Sequence, residues 1–367
     1  MTYTIKFATQ ENEIKRIKEF LYQIRVVEMG QYENEADHEN SIFSDVYDRT
    51  ATHIYAEESG QIKGSIKVLP SESPEVPINW PRNHELERFT STVPMSQICY
   101  MTRLAVSKEL RKGNLGVELV QQAYNLLLYN NFDIVLGDCM PHLLNFYKKL
   151  GFVPYKSNVN DSNCGILMPL VAFPRDMKYL NTISSPIAEV SYQYRDQNLE
   201  RKPNWFALSK MYSFGELERE KKQVKQIHKA LESRNFMGTN LLPNFTESEF
   251  ATLFQKRIEI HGSRGEYLIK RGATTRTIFF IIAGQVEVKI GDKAIATIGS
   301  GEMVGEMNYI LDVGRTSDVV ISEDNTEIIG LSEGTIQRLQ KNQPELAYKL
   351  LLFISRVLCA RLVESND

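Results

Sequence analysis

The stretch VGEMNYILDVGRTS, Val304 to Ser317, sets a glutamate and an arginine nine positions apart, each directly preceded by a glycine. A carboxylate accepts hydrogen bonds from vicinal hydroxyls, and a guanidinium makes a planar two-point contact with a phosphate. Bare backbone beside each charge lets a ligand approach closely. Together these demands describe a sugar phosphate.

Around that loop, from about Asn235 onward, short β-rich runs are punctuated by Gly265, Gly272, Gly284, Gly291, Gly299, Gly301 and Gly305. The run PELAYKLLLFISRVLCARL closes the pattern as an apolar helix, with Pro344 near its first turn. A small antiparallel barrel followed by helices fits. Upstream, Pro174 to Arg234 carries YRDQNLERKPNW and then ELEREKKQVKQIHKALESR, in which Leu217, Val224, Ile227 and Leu231 recur at near-helical spacing. That spacing predicts a connector containing an amphipathic helix.

From Tyr3 to about Phe173 the pattern changes again. Candidate strands HIYAEE, QIKGSIKVL, QICYMTRLAV and FDIVLG mix with candidate helices from Asn12 to Met29, Val117 to Asn130 and His142 to Leu150, the last closed by Gly151 as a C-cap. The expected class is α+β: a mixed α/β domain over 1–173, a helical connector over 174–234, and a β domain with flanking helices over 235–367.

Composition sets limits on function. The 43 Lys+Arg against 46 Asp+Glu leave a net charge of −3, so no global basic field favours nucleic acid. Cys99, Cys139, Cys164 and Cys359 are scattered, without the close spacing of a zinc knuckle or redox dithiol, and read as reduced thiols with no metal site. MTYTIKFATQENEIK lacks an apolar signal core and no 18-residue apolar run follows, which predicts a cytoplasmic protein with no membrane span.

The last third resembles the cyclic nucleotide-binding domain of catabolite activators, cyclic-nucleotide-dependent kinases and gated channels. The resemblance covers roughly Leu231 to Leu362: GEYLIKRGATTRTIFFIIAGQVEV, SGEMVGEMNYILDVGRTS and the PELAYKLL helix, with glycines at the family's turn positions 265, 272, 284, 301 and 305. It implies a β jelly roll in which Glu306 binds the ribose 2′-hydroxyl. Arg315 then pairs with the cyclic phosphate, and amides around Gly305, Met307, Thr316 and Ser317 cap its oxygens. Gly314 stands where proline is common and Ser317 where alanine is usual. Cyclic AMP is the expected ligand, with cyclic GMP the alternative through Thr316.

The first block resembles the GNAT acyltransferase superfamily. CYMTRLAV is followed by Arg111-Lys112-Gly113-Asn114-Leu115-Gly116 and a helix, close to the family's R-x-x-G-x-G/A turn. The resemblance implies an acyl donor, acyl-CoA or an acyl-carrier protein, held along Leu104, Ala105 and Val106 and on that turn, with helix-start amides facing its phosphates. Asn114 takes the first glycine's place, where asparagine tolerates a positive φ better than most residues. HLLNFYKKLGF matches a helix ending in Y-x-x-x-G-F, which implies that Tyr147 protonates the departing thiolate. Met140 replaces an asparagine that often contacts pantetheine.

IRVVEMG and DVYDRTATHIYAEESGQIKGSIKVLP further resemble the autoinducer synthases and long-chain N-acyl amino acid synthases, which places Arg25, Asp45, Asp48 and Lys67 in acceptor-side or structural roles. Their E-x-x-R appears as Tyr100-Met101-Thr102-Arg103, so the arginine is kept and the glutamate is lost. A base for the amine is still required; Glu85, Glu87, Asp138 and His142 are candidates, and the sequence does not choose.

The implied function is a cyclic nucleotide-regulated N-acyltransferase acting on an amine acceptor, a small molecule or a protein lysine. A homodimer stays open. The alternative is a non-catalytic nucleotide-sensing regulator whose GNAT fold binds a partner or metabolite; no helix-turn-helix of a transcription factor is expected after Leu362.

Overall fold

The structure, a computed structural model, describes residues 3–364 apart from 46, 47, 74–83, 162, 197–203, 217–226, 228, 230, 232–234, 237, 238, 241–244 and 312; at 235, 236, 239 and 240 it describes the backbone alone. The chain forms two compact units. One comprises 1–139, 146–156 and 169–216, the other 140–145, 157–168 and 217–367.

The first unit is organised by a twisted mixed sheet. Its strands are β1 (Thr4–Phe7), β2 (Thr52–Glu58), β3 (Gln61–Pro70), β4 (Ile98–Val106), β5 (Ile134–Cys139), β6 (Val153–Pro154) and the end of β8 (Gly165–Ala172) from residue 169 on, while the start of β8 and β7 (Val159–Asp161) fall in the second unit. They lie in the order β1-β2-β3-β4-β5-β8-β6, with β7 paired to β8. The first four are mutually antiparallel and β4 runs parallel to β5. A strand flanked by neighbours and covered on both faces loses its polar alternation, and Ile134 to Leu136 of β5 accordingly read as a continuous buried run.

Helices cover this sheet where their apolar spacing demands it. In α1 (Glu11–Tyr22), Glu13 and Gln10 form a capping box, and the helix continues as a π-helical stretch over Gln23–Glu28. The expected helix from Asn12 to Met29 is therefore present, with a register change that apolar spacing does not signal. After α2 (Glu87–Thr90), α3 (Leu115–Tyr129) buries Leu115, Leu119, Val120, Ala123, Tyr124, Leu127 and Leu128, the i, i+4 face of an amphipathic helix. It lies so close to β3 that a Cβ on Gly64 would come within 2.9 Å of Leu119. α4 (Leu144–Lys149) ends at Gly151, whose φ is +97°.

Residues 177–193 form α5 (Met177–Thr182) and α6 (Ala188–Gln193), and α7 (Phe206–Ser209) runs into a π-helical turn over Lys210–Phe214. Asp176 caps α5 through the Tyr179 amide and also accepts from the Ser209 hydroxyl. Of the apolar stripe expected on the connector, Leu217 and Val224 lie outside the described residues. Ile227 and Leu231 are buried in the second unit's core.

The second unit is an antiparallel β-sandwich with helices. After the two-residue strands β9 (Asn235–Phe236) and β10 (Thr239–Asn240) comes α8 (Glu247–Phe254), opened by a Thr246–Glu249 capping box. One sheet orders β11 (Ile258–Gly262), β18 (Thr326–Ser332), β13 (Thr277–Ala283) and β16 (Met303–Val304); the other orders β12 (Tyr267–Ile269), β17 (Asp318–Ile321), β14 (Gln285–Ile290) and β15 (Lys293–Gly299). α9 (Glu306–Leu311) interrupts the strands, and α10 (Glu333–Asn342) and α11 (Pro344–Glu364) close the chain. Phe280 joins the layers, with its ring 5.7 Å from Phe254 and stacked 6.3 Å from Phe353. Among the described residues no helix is long and apolar enough to cross a membrane.

The five turn glycines of the jelly-roll pattern, 265, 272, 284, 301 and 305, all have positive φ. Gly284 is the most constrained by packing, since a Cβ there would stand 2.3 Å from the Thr326 hydroxyl and 2.9 Å from its Cα. Strain from a positive φ and overpacking each cost about 1 to 3 kcal/mol. Gly284→Ala is therefore expected to destabilise this unit by about 2 kcal/mol or more, read as a lower urea midpoint.

Candidate functional site

The first unit is centred on a break in β4. The β3–β4 ladder pairs Lys67 with Thr102 and then Ser65 with Ala105, so Arg103 and Leu104 fall between two partnered positions. Arg103 takes φ +55°, which is unusual for a residue with a long side chain. Its Nε donates to Asp45 over 2.7 Å and one terminal nitrogen to the Tyr32 hydroxyl over 2.8 Å; the guanidinium also lies over the Tyr32 and Phe43 rings at 4.9 and 5.2 Å. Burial would lower its pKa, but Tyr32 and Asp45 outweigh it and raise the value, so the cation is permanent.

Lys67 completes the network. Its ammonium donates to Asp45 over 3.1 Å and to Asp48, with a side chain only 1% exposed, and Lys18 lies 3.3 Å from the other Asp48 oxygen. Burial acts to raise the Asp45 pKa, and Lys67 and Arg103 overcome it and hold the carboxyl below its ordinary value. Asp45, Asp48, Lys67 and Arg103 are thus brought together. Arg25 is not part of that cluster; from the π-helical stretch it donates to the Leu104 carbonyl over 3.0 Å. The sequence pattern contained all five residues. It gave no signal for Tyr32, Phe43 or Lys18, which touch the charges from loop and helix.

Beyond the break, a short helical turn leads into α3. Arg111 is fully engaged: its Nε donates to the Val106 carbonyl over 2.9 Å and both terminal nitrogens meet the Glu28 carboxylate. The expectation of a positive φ at Asn114 is corrected, because Asn114 sits at φ −93° as the N-cap of α3, already in helical space. The turn is tightest at Gly113, where a Cβ would stand 3.3 Å from the Leu110 carbonyl, whereas at Gly116 it would make only ordinary contact with the Phe146 ring. Amides at the start of α3, a helix of 15 residues, remain the anion-facing groups of this turn.

Tyr147 lies half-buried on α4, its ring edge-on to Phe146 at 5.3 Å and Phe152 at 5.5 Å. Among the described residues its hydroxyl has no hydrogen-bond partner. Burial pushes its pKa well up, with Cys139 and Asp138 adding to the shift and Arg25 opposing it, so the phenol holds its proton at neutral pH. Of the candidate bases, Glu85 is paired with Arg88 and, over 3.1 Å, with Lys156; burial raises its pKa but these partners keep it low. Glu87 is exposed on α2, and His142 falls in the 140–145 segment of the second unit. Asp138 projects from β5 and accepts from the Tyr100 hydroxyl.

In the second unit Glu306 and Arg315 are buried, 4% and 5% exposed, while Met307 and Thr316 are exposed and Ser317 is half-buried. Arg315 donates to the Gly305 carbonyl over 3.0 Å and to the Thr277 carbonyl over 2.7 Å, and its Nε is buried with no partner among the described residues. Burial lowers its pKa to about 10, with Glu306 acting in the opposite sense. Gly305 is indispensable: at φ +87° a Cβ would stand 2.5 Å from the Arg315 guanidinium. Gly314 has no such need, as its Cβ would meet only the Gly272 carbonyl at 3.8 Å, in keeping with the proline common at that place. Glu306 carries a partner the sequence did not suggest: Arg361 of α11 donates to Oε1 over 2.8 Å, leaving Oε2 buried without a partner among the described residues.

Residues 28–173 match the family model described as N-acyl amino acid synthase FeeM, and residues 259–343 match that of the cyclic nucleotide-binding domain. Curated relatives include the Pycsar effector protein XpPycTIR of Xanthomonas perforans, 32% identical over 26% of this chain and 32% of its own length. Glutaminase 2 of Bradyrhizobium diazoefficiens is 28% identical over 34% of this chain and 20% of its own. The chain thus spans a third or less of these relatives. Among solved structures, the CoA-dependent acyl-homoserine lactone synthase BjaI is 15% identical, covers 52% of this chain and all of its own, and gives a TM-score of 0.41. A cyclic nucleotide-binding domain from Methylobacillus flagellatus is 26% identical over 40% of this chain and 82% of its own, with a TM-score of 0.35. Residues 28–173 are thus similar to an N-acyl amino acid synthase, and residues 259–343, further along the same chain, to a cyclic nucleotide-binding domain.

The buried charges of the first unit lead to a stability test. Lys67→Met keeps much of the side-chain volume and leaves Asp45 to Arg103 and Asp48 to Lys18, so the loss should stay below the about 3 to 5 kcal/mol of breaking a buried ion pair outright. A lower urea midpoint at pH 7, corresponding to a loss of about 1 to 3 kcal/mol, is expected. The folded Asp45 pKa is depressed, so its contribution is present above the unfolded value of about 3.9 and is lost as pH falls through the folded one. The gap between wild type and variant should accordingly narrow as pH falls below about 4.

Proposed function

We propose that this chain is an N-acyltransferase regulated by a cyclic nucleotide, moving an acyl group from a CoA or acyl-carrier-protein thioester to an amine acceptor. The observation that carries the reading is Arg315, a buried guanidinium bonded to carbonyls rather than to a carboxylate, in a chain whose residues 28–173 match an N-acyl amino acid synthase. A buried cation without an anion is costly unless something supplies one. A cyclic phosphate does so, with a ribose hydroxyl donating to Glu306.

In the acyltransferase domain the amine nitrogen attacks the thioester carbon beside the β4 break, where a backbone amide stabilises the oxyanion. The C–S bond breaks and Tyr147 gives its proton to the sulfur. Amides at the start of α3 and the turn from Arg111 to Gly116 face the donor's phosphates, with Leu104, Ala105 and Val106 alongside. Asp45, Asp48, Lys67 and Arg103 hold the strand break in shape, and Arg25 supports it through the Leu104 carbonyl. Two relatives are described as effector proteins, which supports a nucleotide-responsive role for this chain.

Regulation follows from linkage. Glu306 is held by Arg361 of the last helix, so a ligand that bonds Glu306 has different affinities for arrangements of α11 that keep or release that contact. The connector from 174 to 234 is the proposed carrier of the coupling. The non-catalytic alternative draws on Tyr100, which stands where the resemblance expects a glutamate. Nucleotide binding without thioester cleavage, with or without cyclic AMP, would favour it.

Hydrogen bonds to charged groups contribute about 1.5 to 3 kcal/mol. Arg315→Ala is expected to weaken cyclic AMP binding at least tenfold by calorimetry, and to remove the response of turnover to nucleotide; equal affinities would refute the assignment. Tyr147→Phe keeps the ring and its packing. Thioester cleavage in the presence of amino acids should fall about 100-fold with the melting temperature unchanged, as general acid catalysis contributes that much.

A further inference from the structure

The short helix that opens the loop of the second unit is turned inside out. α9 buries two of its residues, Glu306 and Asn308, and both are polar, while Met307, Ile310 and Leu311 stand in solvent and Tyr309 leans on the core. An amphipathic helix does the reverse. Glu306 has its explanation in the reading above; Asn308, 4% exposed, has none there. Its Nδ2 donates to the Val313 carbonyl, and the opposite orientation of the amide would set two acceptors against each other. Its Oδ1 is buried with no partner among the described residues. A buried amide satisfied on one side only lowers stability relative to a small apolar residue, so packing does not account for it. Residues that break a local rule at such a cost gather at functional sites.

What the bond joins gives it a task. The far side of the loop is anchored without Asn308: the Arg315 amide donates to the Ala273 carbonyl over 3.0 Å, the Gly272 amide donates to the Arg315 carbonyl over 2.8 Å, and the guanidinium holds the Gly305 and Thr277 carbonyls. Val313 lies two residues before that anchored point, and Asn308 lies two residues after Glu306 on the same short helix. The bond is thus a tie from the Arg315 segment to the helix that offers the carboxylate. Arg361 holds Glu306 at Oε1 over 2.8 Å, which leaves Oε2, and where Oε2 points depends on how α9 is set.

We infer that Asn308 is the positioning residue of ribose recognition: its tie to Val313 keeps the Glu306 carboxylate at the separation from Arg315 at which one ligand meets the guanidinium with its phosphate and the carboxylate with its 2′-hydroxyl. This rests on the nucleotide reading above and names a preference within it, for a cyclic ribonucleotide over its 2′-deoxy counterpart. Asn308 does not touch the ligand; it acts through Glu306. Phosphate binding does not depend on it, because Arg315 has anchors of its own. Ribose binding does. An effect relayed through one carboxylate disappears when either that carboxylate or the hydroxyl it accepts from is removed.

Calorimetry on the full chain tests this with cyclic AMP and 2′-deoxy cyclic AMP, and with the same pair for cyclic GMP. Wild type should bind the ribonucleotide about tenfold tighter or more, since a hydrogen bond to a charged group is lost with the hydroxyl. Asn308→Ala should weaken binding of the ribonucleotide about tenfold and leave that of the 2′-deoxy nucleotide within about twofold, with the melting temperature of the unliganded protein unchanged. Asn308→Ser, too short to keep the bond to Val313, should behave alike. The double variant Glu306→Ala/Asn308→Ala should bind the ribonucleotide no more weakly than Glu306→Ala. Equal losses with both nucleotides, no loss, or additive losses in the double variant would overturn the assignment of Asn308 and leave nucleotide binding intact. Wild type that binds none of the four, or binds ribo and deoxy forms alike, would overturn the roles of Arg315 and Glu306 themselves.

Discussion

The first domain depends on Arg103 being held where arginine rarely sits. A positive φ at a long side chain costs on the order of 1 kcal/mol or more, and it persists only because its surroundings over-determine it. Here they do: a carboxylate, a phenol and two aromatic faces grip the guanidinium, and Lys67 fixes the same carboxylate from β3. The consequence is structural before it is chemical. With two residues of β4 withdrawn from the β3 ladder, the strand turns its Leu104 carbonyl to Arg25, and β4 leaves its parallel partner after Tyr100. A buried ion network adds little net stability over an apolar core; its value here is that no regular strand satisfies it.

A different solution to charge burial appears in the second domain. Arg315 is desolvated enough to lower its pKa to about 10, yet no carboxylate bonds it among the described residues. Two main-chain carbonyls hold it in place, and Gly305 vacates the space that a side chain would take from its guanidinium. Its Nε is buried with no partner among the described residues, so its charge is not neutralised by a bonded carboxylate. Glu306 is instead bonded by Arg361 of the final helix, so the two buried charges differ: one is held by main-chain carbonyls and the other by a side chain of α11.

These contrasts explain what the sequence could and could not convey. Turn glycines were legible because positive φ restricts residue choice, and all five jelly-roll glycines adopt it. The same logic misled at Asn114, where the helix starts one residue earlier than a glycine turn would imply and helical φ suffices. Long amphipathic helices and apolar strands were legible from period. The short strands β1, β6 and β7 were not, since two to four residues carry no period, and the π-helical end of α1 keeps the composition of an ordinary helix. Charge partners such as Arg361 for Glu306, 55 positions away, or His84 for Asp138, 54 positions away, are set by packing, and single-residue chemistry does not encode them.

The division of labour among polar residues is then a matter of what each already holds. In the first domain, residues with opposite charges in contact have settled their electrostatics within the protein, and a substrate gains little by displacing them. Tyr147 is different, since among the described residues its hydroxyl meets no partner and its ring packs edge-on against Phe146 and Phe152. Burial raises the pKa of the Tyr147 phenol and lowers that of the His84 imidazole, so at neutral pH desolvation leaves both groups uncharged, the phenol with its proton and the ring without the second one. Desolvation can in this way set protonation states in the domain without any metal-like charge, while the strand break at Arg103 keeps β4 from closing into a regular ladder.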